Sequence, residues 1–531
     1  MPPLTTRSAR GLASLERLAD RPLGAVVLFL AAIAVYAFRA IGWPLVAGRD
    51  LDEYLYGYIQ FFDWDPLLPW SMLFRTPVTP IVAGVLLDLG GGIVAEPFMA
   101  VLFAGSVVAW AVAARTFGTR VALLAAVALL VYPAYGLMFH ELSSEPVFAA
   151  GFALWALLVT RSAAQPSVRR FALAGLAVAL LALIRPGNAV LIAFVLFPLV
   201  VAGDWRRRAA WAAAFLTAAV LPLAVWALLN GVRFGDYTLA RGGNAVVPFY
   251  RAFITDRIVS PDNGPASRRL GDAIEQHLLT RDPYKSYGVT LDEVFQSGSF
   301  RIHEDLYVLS DEVFGWGSNY SVLRDAGREA VEAHPADYAS GVLETVWQQL
   351  SESFFRTPAP RAETRPPASS QPGLPRPTEG EPIPAGQNAW ISRPDNRIRE
   401  VWTSGTEHHF EFRDERDRRR FSEIVHERDE LLAALPDRGG SAALAHRLNQ
   451  LSRWFPRPII WIAVGLIALA WRKPRGTTIL TALGLAAVLV IVLNALGLFA
   501  DPHFALPVAP AFVLFGLGAL FGRRTEGESA G

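Results

Sequence analysis

Cysteine is absent from this 531-residue chain. That excludes disulfides, thiol nucleophiles and cysteine-ligated zinc or iron–sulfur centres. Charge is scarce as well: Asp, Glu, Lys and Arg make up 18%, against roughly 25% in an average soluble domain. The charge is also balanced, 49 basic residues against 48 acidic, so no global field points to a nucleic-acid partner. What abounds is apolar sequence. Hydrophobic residues reach 52%, too many for a soluble chain of this length. No strong strand pattern and no internal repeat shows.

The apolar residues gather in runs near 23–42, 96–114, 120–138, 146–161, 171–185, 188–203, 209–229, 457–471, 477–499 and 503–521. A span needs about 20 mostly apolar residues. These runs predict an all-α polytopic membrane protein with about 10 transmembrane helices. Arg7, Arg10, Arg17 and Arg21 precede the first run, and no small-residue cleavage site follows it. A retained signal-anchor span is expected there.

The charges at the span ends sort by side. Arg115 and Arg120, Arg161 with Arg169 and Arg170, Arg206 to Arg208, Arg472 with Lys473 and Arg475, and Arg523 with Arg524 share one side. Asp50, Asp52, Glu53, Glu141, Glu145, Arg185, Asp501 and His503 fall on the other. The positive-inside rule then places residues 1–22, the basic loops and the tail 523–531 in the cytoplasm. The plasma (inner) membrane is the expected location, crossed many times, with any active site on the extracytoplasmic side. The membrane core is read as 23–229 and 456–522. Residues 230–455 form an extracytoplasmic region that is mainly helical, holding a proline-dense loop at 356–390 that is expected to be disordered. Thr76–Ile93 is apolar but broken by Pro77, Pro80, Asp88 and Gly90-Gly91-Gly92. Counting it as a span would put the arginine clusters outside, so 44–94 is read as one external loop with short interfacial helices.

Several external residues are candidates for chemistry, each with a plainer explanation. In DLDEYLYGY, Asp50, Asp52 and Glu53 lie within four residues, among tyrosines and directly after a span. Acids near low dielectric are costly without a task or a partner, and one could serve as a general base. A solvated loop is the plainer reading. Tyr54, Tyr56 and Tyr58 could stack on a sugar or pack on lipid. In HELSSEPVF, Glu145-Pro146 opens a span, where an acid also suits the helix dipole. His140 with Glu141 could ligate a divalent ion, but two residues do not define a metal site. Arg185, in LIRPGN, breaks the positive-inside trend and needs either a carboxylate partner or an anionic ligand such as a lipid phosphate. Arg75 in RTPVTP and His503 in DPHFALPVAP could contact the same anion. Gly242-Gly243-Asn244 reads mostly as a turn. Asn319-Tyr320-Ser321 matches a glycosylation triplet at chance level, and 411–430 reads as a solvated charged helix.

Span one followed by DLDEYLYGYIQ and RTPVTPIV resembles the first external loop of C-type (GT-C) membrane glycosyltransferases. That superfamily includes aminoarabinose transferases and protein O-mannosyltransferases. SSEPVF, LIRPGN, RFGDYTLARGGN and HFALPVAP follow in the family's order. The resemblance covers residues 23–250 and 457–521, and 260–455 lies outside it. It implies a GT-C-like fold and sugar transfer from a polyprenyl-phosphate carrier to an extracytoplasmic glycan, lipid or protein acceptor, among membrane lipids; the residues themselves call for no cofactor, with a divalent metal as the alternative. It implies Asp52 as general base or acceptor-positioning acid, with Glu53 beside it and Glu145 as second acid. Arg185 would hold the carrier phosphate or pair with Glu145. Asp50, Tyr56, Arg75, His140 and His503 would line the substrate site. His503-Phe504 departs from the Arg-Tyr common in relatives, and a histidine is largely neutral at pH 7. The competing classes are a transporter or flippase of a lipid-linked glycan, which would show inverted repeats, and a non-catalytic membrane scaffold.

Overall fold

The computed structural model describes residues 22–281, 284–352, 386–388, 397–402, 408–436, 441–472 and 474–524. The proline-dense loop expected at 356–390 lies outside the described residues except for 386–388. The chain is a polytopic α-helical membrane protein. Among the described residues, seven helices are long and apolar enough to cross a membrane: Pro22–Gly42, Gly92–Phe117, Ser144–Ala164, Trp205–Phe234, His446–Arg472, Thr477–Gly497 and His503–Phe521.

The other three expected spans are shorter helices, and proline explains where each is cut. The 120–138 run divides into Thr119–Val131 and Pro133–Met138. Tyr132 between them is extended, as a residue before proline tends to be. Val168–Ile184 stops at Arg185, which is extended ahead of Pro186 for the same reason. Residues Pro186–Leu196 then wind as a 3-10 helix before Phe197–Val200. A 3-10 turn rises about 2.0 Å per residue, so this short segment still covers about 28 Å, close to a ~30 Å hydrocarbon core. Val168–Ile184 packs between Ser144–Ala164 and Trp205–Phe234.

The 44–94 stretch holds Leu51–Ile59, Pro69–Leu73 and Val78–Gly90. Val78–Gly90 rises only about 20 Å over its length. One end is tied to the end of Val168–Ile184, where Thr79 Oγ1 donates to the Ile184 carbonyl at 3.5 Å. At the other end, the Gly92 amide donates to the Ala434 carbonyl at 2.9 Å, in the region following Glu415–Ala433.

The described residues of 230–455 build two further bodies. The first is helical, around Phe249, Phe253, Ile274, Ile302, Leu306 and Leu323. Arg241 locks it to the end of Trp205–Phe234, reaching Asp236 at 2.9 Å, Asp311 at 2.5 Å and Tyr320 at 3.0 Å. Asn319 of the glycosylation triplet joins this network through Asp236. Arg251 ties the same body to the end of Thr477–Gly497, donating to the carbonyls of Ala495 at 2.8 Å and Leu498 at 3.0 Å. The second body is a three-stranded antiparallel sheet, Gly386–Asn388, Ile398–Trp402 and His408–Phe412. Phe410 and Phe412 pack on Phe421 of helix Glu415–Ala433. Strands this short, three to five residues each, carry too little alternation to stand out in a sequence.

Candidate functional site

The site begins with a close approach of two backbones. Val46–Ala47 pairs in parallel with Glu141–Leu142. The Gly48 amide donates to the Leu142 carbonyl at 3.1 Å. A Cβ on Gly48 would lie 2.6 Å from the Ser143 Cβ, so only glycine fits. This bridge carries Arg49 and Asp50 to the start of helix Ser144–Ala164. Asp50 itself takes a left-handed conformation (φ 59°, ψ 17°) and turns the chain into helix Leu51–Ile59. Aspartate is one of the few non-glycine residues that adopt this region readily.

Two ionic clusters face one another there. In the first, Arg75 Nη2 donates to Glu53 Oε2 at 2.5 Å and lies 3.2 Å from Asp50 Oδ2. Burial alone would lower the Arg75 guanidinium, but Glu53 and Asp50 outweigh it and hold it above its ordinary value. In the second, Arg185 Nη2 meets Glu145 Oε1 at 2.6 Å and Arg185 Nε donates to Ser144 Oγ at 2.8 Å. The Glu145 side chain is 3% exposed and that of Arg185 21%. The acid is therefore committed to its partner, while the guanidinium keeps an open edge. Glu145 lies in the first helical turn, where the macrodipole also favours it.

Tyr54 lies between the clusters. It is buried, and it feels Arg75 and Asp50 from one and Glu145 and Arg185 from the other. Burial pushes its hydroxyl above the ordinary tyrosine range, with Arg75 opposing. A third segment arrives from the C-terminal end of the chain. Arg49 Nη1 donates to Asp501 Oδ2 at 3.3 Å, and Asp501 also pairs with the His503 ring. Arg49 lies 6.0 Å over the Phe499 ring and Arg185 5.9 Å over that of Phe504. Tyr250 of the helical body feels Arg49, Glu304 and Asp50 from above.

The structure thus gathers Asp50, Glu53, Arg75, Glu145, Arg185 and His503 at one end of the bundle. It does not gather three of the other expected residues. Asp52 is exposed and makes no hydrogen bond or ion pair among the described residues. Helix geometry is the reason: positions 50, 53 and 54 share a face, and 52 and 56 share the opposite one. Tyr56 accordingly packs under the neighbouring helix, where it accepts from Arg428, whose guanidinium lies 4.8 Å over its ring. His140 is fully buried and stacks on Tyr36 with ring centroids 3.9 Å apart. Among the described residues, no three His, Asp or Glu side chains are grouped to hold a metal ion. Arg49, Ser144 and Phe504 join the site without having been singled out for it, and Tyr54 does so as one of the three tyrosines expected either to stack on a sugar or to pack on lipid. The 3.6-residue period marks Tyr54 beside Asp50 and Glu53, whereas nothing local marks Arg49 or Phe504.

Residues 76–229 match the family model of the dolichyl-phosphate-mannose-protein mannosyltransferases. The GT-C resemblance is borne out over that stretch. The match takes in Glu145, Arg185 and the helices that carry them. Two solved structures are similar to the chain. One is ArnT from Cupriavidus metallidurans bound to undecaprenyl phosphate, with 14% identity, 94% of this chain and 78% of that one covered, and a TM-score of 0.32. The other is the same ArnT in its apo state, with 14% identity, 94% and 77% covered, and a TM-score of 0.30. No curated protein matches.

Proposed function

We propose that this chain transfers a sugar from a polyprenyl-phosphate carrier to an extracytoplasmic acceptor, with Asp50 rather than Asp52 as the base. The observation that carries the reading is the Glu145–Arg185 pair, with buried Tyr54 between it and the cluster of Asp50, Glu53 and Arg75. The family match over 76–229 supports a lipid-phosphate sugar as donor. The charge sorting supports a site on the extracytoplasmic side of the membrane, with the inner membrane as its place in this reading.

In this mechanism the acceptor oxygen attacks the anomeric carbon while the bond from that carbon to the carrier phosphate breaks. The acceptor proton passes to Asp50, and the negative charge appearing on the polyprenyl phosphate meets the open edge of Arg185. Glu145 and Ser144 aim that guanidinium. Glu53 and Arg75 fix the first-loop helix and the Asp50 carboxylate. A single displacement inverts the anomeric centre. A hexose and a pentose fit this scheme equally, as do glycan, lipid and protein acceptors.

The test uses purified protein in lipid nanodiscs, offered polyprenyl-phosphate mannose and polyprenyl-phosphate arabinose in turn. Asp50→Asn should lower transfer by roughly 10²–10⁴-fold, the usual worth of a positioned acid or base. Asp52→Asn should stay within about threefold of the parent, since an exposed residue away from the site has no step to lose. The reverse ranking would return the base to Asp52. Movement of the carrier across vesicles with no glycosidic product would replace the transferase reading with a transporter.

A further inference from the structure

Helix Pro335–Ser351 belongs by sequence to the polar 230–455 region, yet its surroundings are those of a span. Val346 and Leu350 pack in the same apolar cluster as Thr477–Gly497 and the other membrane helices. Leu343 and Trp347 point away from the protein, 69% and 58% exposed. At about 100° per residue, Ala336, Ser340, Leu343 and Trp347 form one uncharged stripe next to Val346 and Leu350. Asp337 and Glu344 fall together on the adjacent edge.

Two anchors fix the direction of the helix. Tyr338 Oη donates to the Leu496 carbonyl at 2.5 Å. Two turns on, Thr345 Oγ1 accepts at 2.9 Å from Arg251 Nη1, which also reaches the Ala495 and Leu498 carbonyls. Both anchors meet the same end of Thr477–Gly497, although they lie about 10 Å apart along the helix. The helix therefore crosses the end of that span instead of running beside it. A helix in that position with one apolar edge and one acidic edge has the form of an in-plane interfacial helix, and a tryptophan on its apolar edge suits the aromatic belt of a membrane.

We infer that helix Pro335–Ser351 lies in the outer leaflet, with Leu343 and Trp347 against lipid acyl chains and Asp337 and Glu344 toward the headgroups. The occupant of its exposed stripe is membrane lipid, because the stripe continues the lipid-facing surface of the spans it packs on. The inference does not depend on sugar transfer.

The absence of cysteine makes the test direct, since one introduced cysteine is the sole labelling site. Ser340→Cys, Leu343→Cys, Trp347→Cys and Glu344→Cys would each carry an environment-sensitive fluorophore, in the full chain in nanodiscs. Leu228→Cys, 57% exposed near the end of Trp205–Phe234, serves as the lipid-facing control. Glu332→Cys, exposed on helix Ser321–Ala333, serves as the water-facing one. The quenchers are a phospholipid with a nitroxide near the carbonyl end of one acyl chain, and aqueous iodide. Labels at 340, 343 and 347 should be quenched by the nitroxide lipid at least half as strongly as at 228. The label at 344 should respond less. Three positions read the stripe, so a single variant that fails to fold leaves the answer intact. If the stripe labels follow 332, open to iodide and untouched by the nitroxide lipid, the helix lies in water and the inference fails.

Discussion

Glu145→Gln keeps the shape of the side chain and removes the charge that faces Arg185. Breaking a buried pair from one side costs about 3–5 kcal/mol, because the remaining ion has lost its compensation. Chemical unfolding in detergent should show such a loss for Glu145→Gln and for Arg185→Gln. The double variant should lose clearly less than the sum of the two. Transfer should fall in all three, since Arg185 has lost either its aim or its charge. A second residue-scale expectation concerns His303, in the helical body. It sits in a box of Phe249, Tyr250, Phe253 and Tyr307, and burial holds its pKa down to about 3. A depressed folded value means the unfolded chain takes up the proton first. Its contribution is fully present above about pH 6.5 and is lost as pH falls toward the folded value. The slope is at most about 1.4 kcal/mol per pH unit. Unfolding curves across pH 4–7 should be flatter for His303→Phe than for the parent by up to that amount.

At the scale of elements, the parallel bridge between 46–47 and 141–142 sets the distance from Asp50 to Glu145. Gly48→Ala would force the two strands apart, because the added methyl meets the Ser143 Cβ and the Leu142 carbonyl below contact distance. The spans do not depend on that contact, so the variant should insert and purify normally. A shift approaching 1 Å in a reacting group costs on the order of 100-fold, and transfer assays should show a kcat loss of that order. The same bridge shows why part of the site was hidden in the sequence. Glu145, Arg185 and the first-loop acids could be picked out, since each breaks a local rule: acids beside aromatics after a span, an arginine on the acidic side. Which of the acids turns inward was also present, in the three-to-four spacing of Asp50, Glu53 and Tyr54, but the cluster was read as one patch rather than as a helix with two faces. The partners of Arg49 could not be read, because Asp501 is 452 positions away and only folding brings them together. The span count had the same limit. The ten apolar runs stand out by composition, but where Tyr132-Pro133 and Arg185-Pro186 cut the helices depends on backbone geometry that hydropathy does not register.

For the whole molecule, Arg251 is the rivet between the helical body and the membrane bundle. Asp256 grips its guanidinium with bonds of 2.8 and 2.9 Å, and the remaining donors reach Thr345, Ala495 and Leu498. Carbonyls at the end of a helix are natural acceptors for a cation. Arg251→Ala would strand the Asp256 carboxylate, 8% exposed, with no counter-charge from that position. A cost of about 3–5 kcal/mol is expected. It should appear as faster limited proteolysis within 246–352, with the spans still protected. Survival of the parent digestion rate would show that the apolar packing alone holds the two bodies together.

The site draws on three stretches that lie far apart in the sequence: Arg49 and Asp50, then Glu145 and Arg185, then Asp501 and His503. A chain still on the ribosome, or one released early, holds the first two and lacks the third. The proposed site is therefore assembled only once the segment carrying Asp501 and His503 has been made and has met Arg49. On the proposed function, a partly made chain would already be anchored in the bilayer yet would lack the Asp501–His503 side of the site.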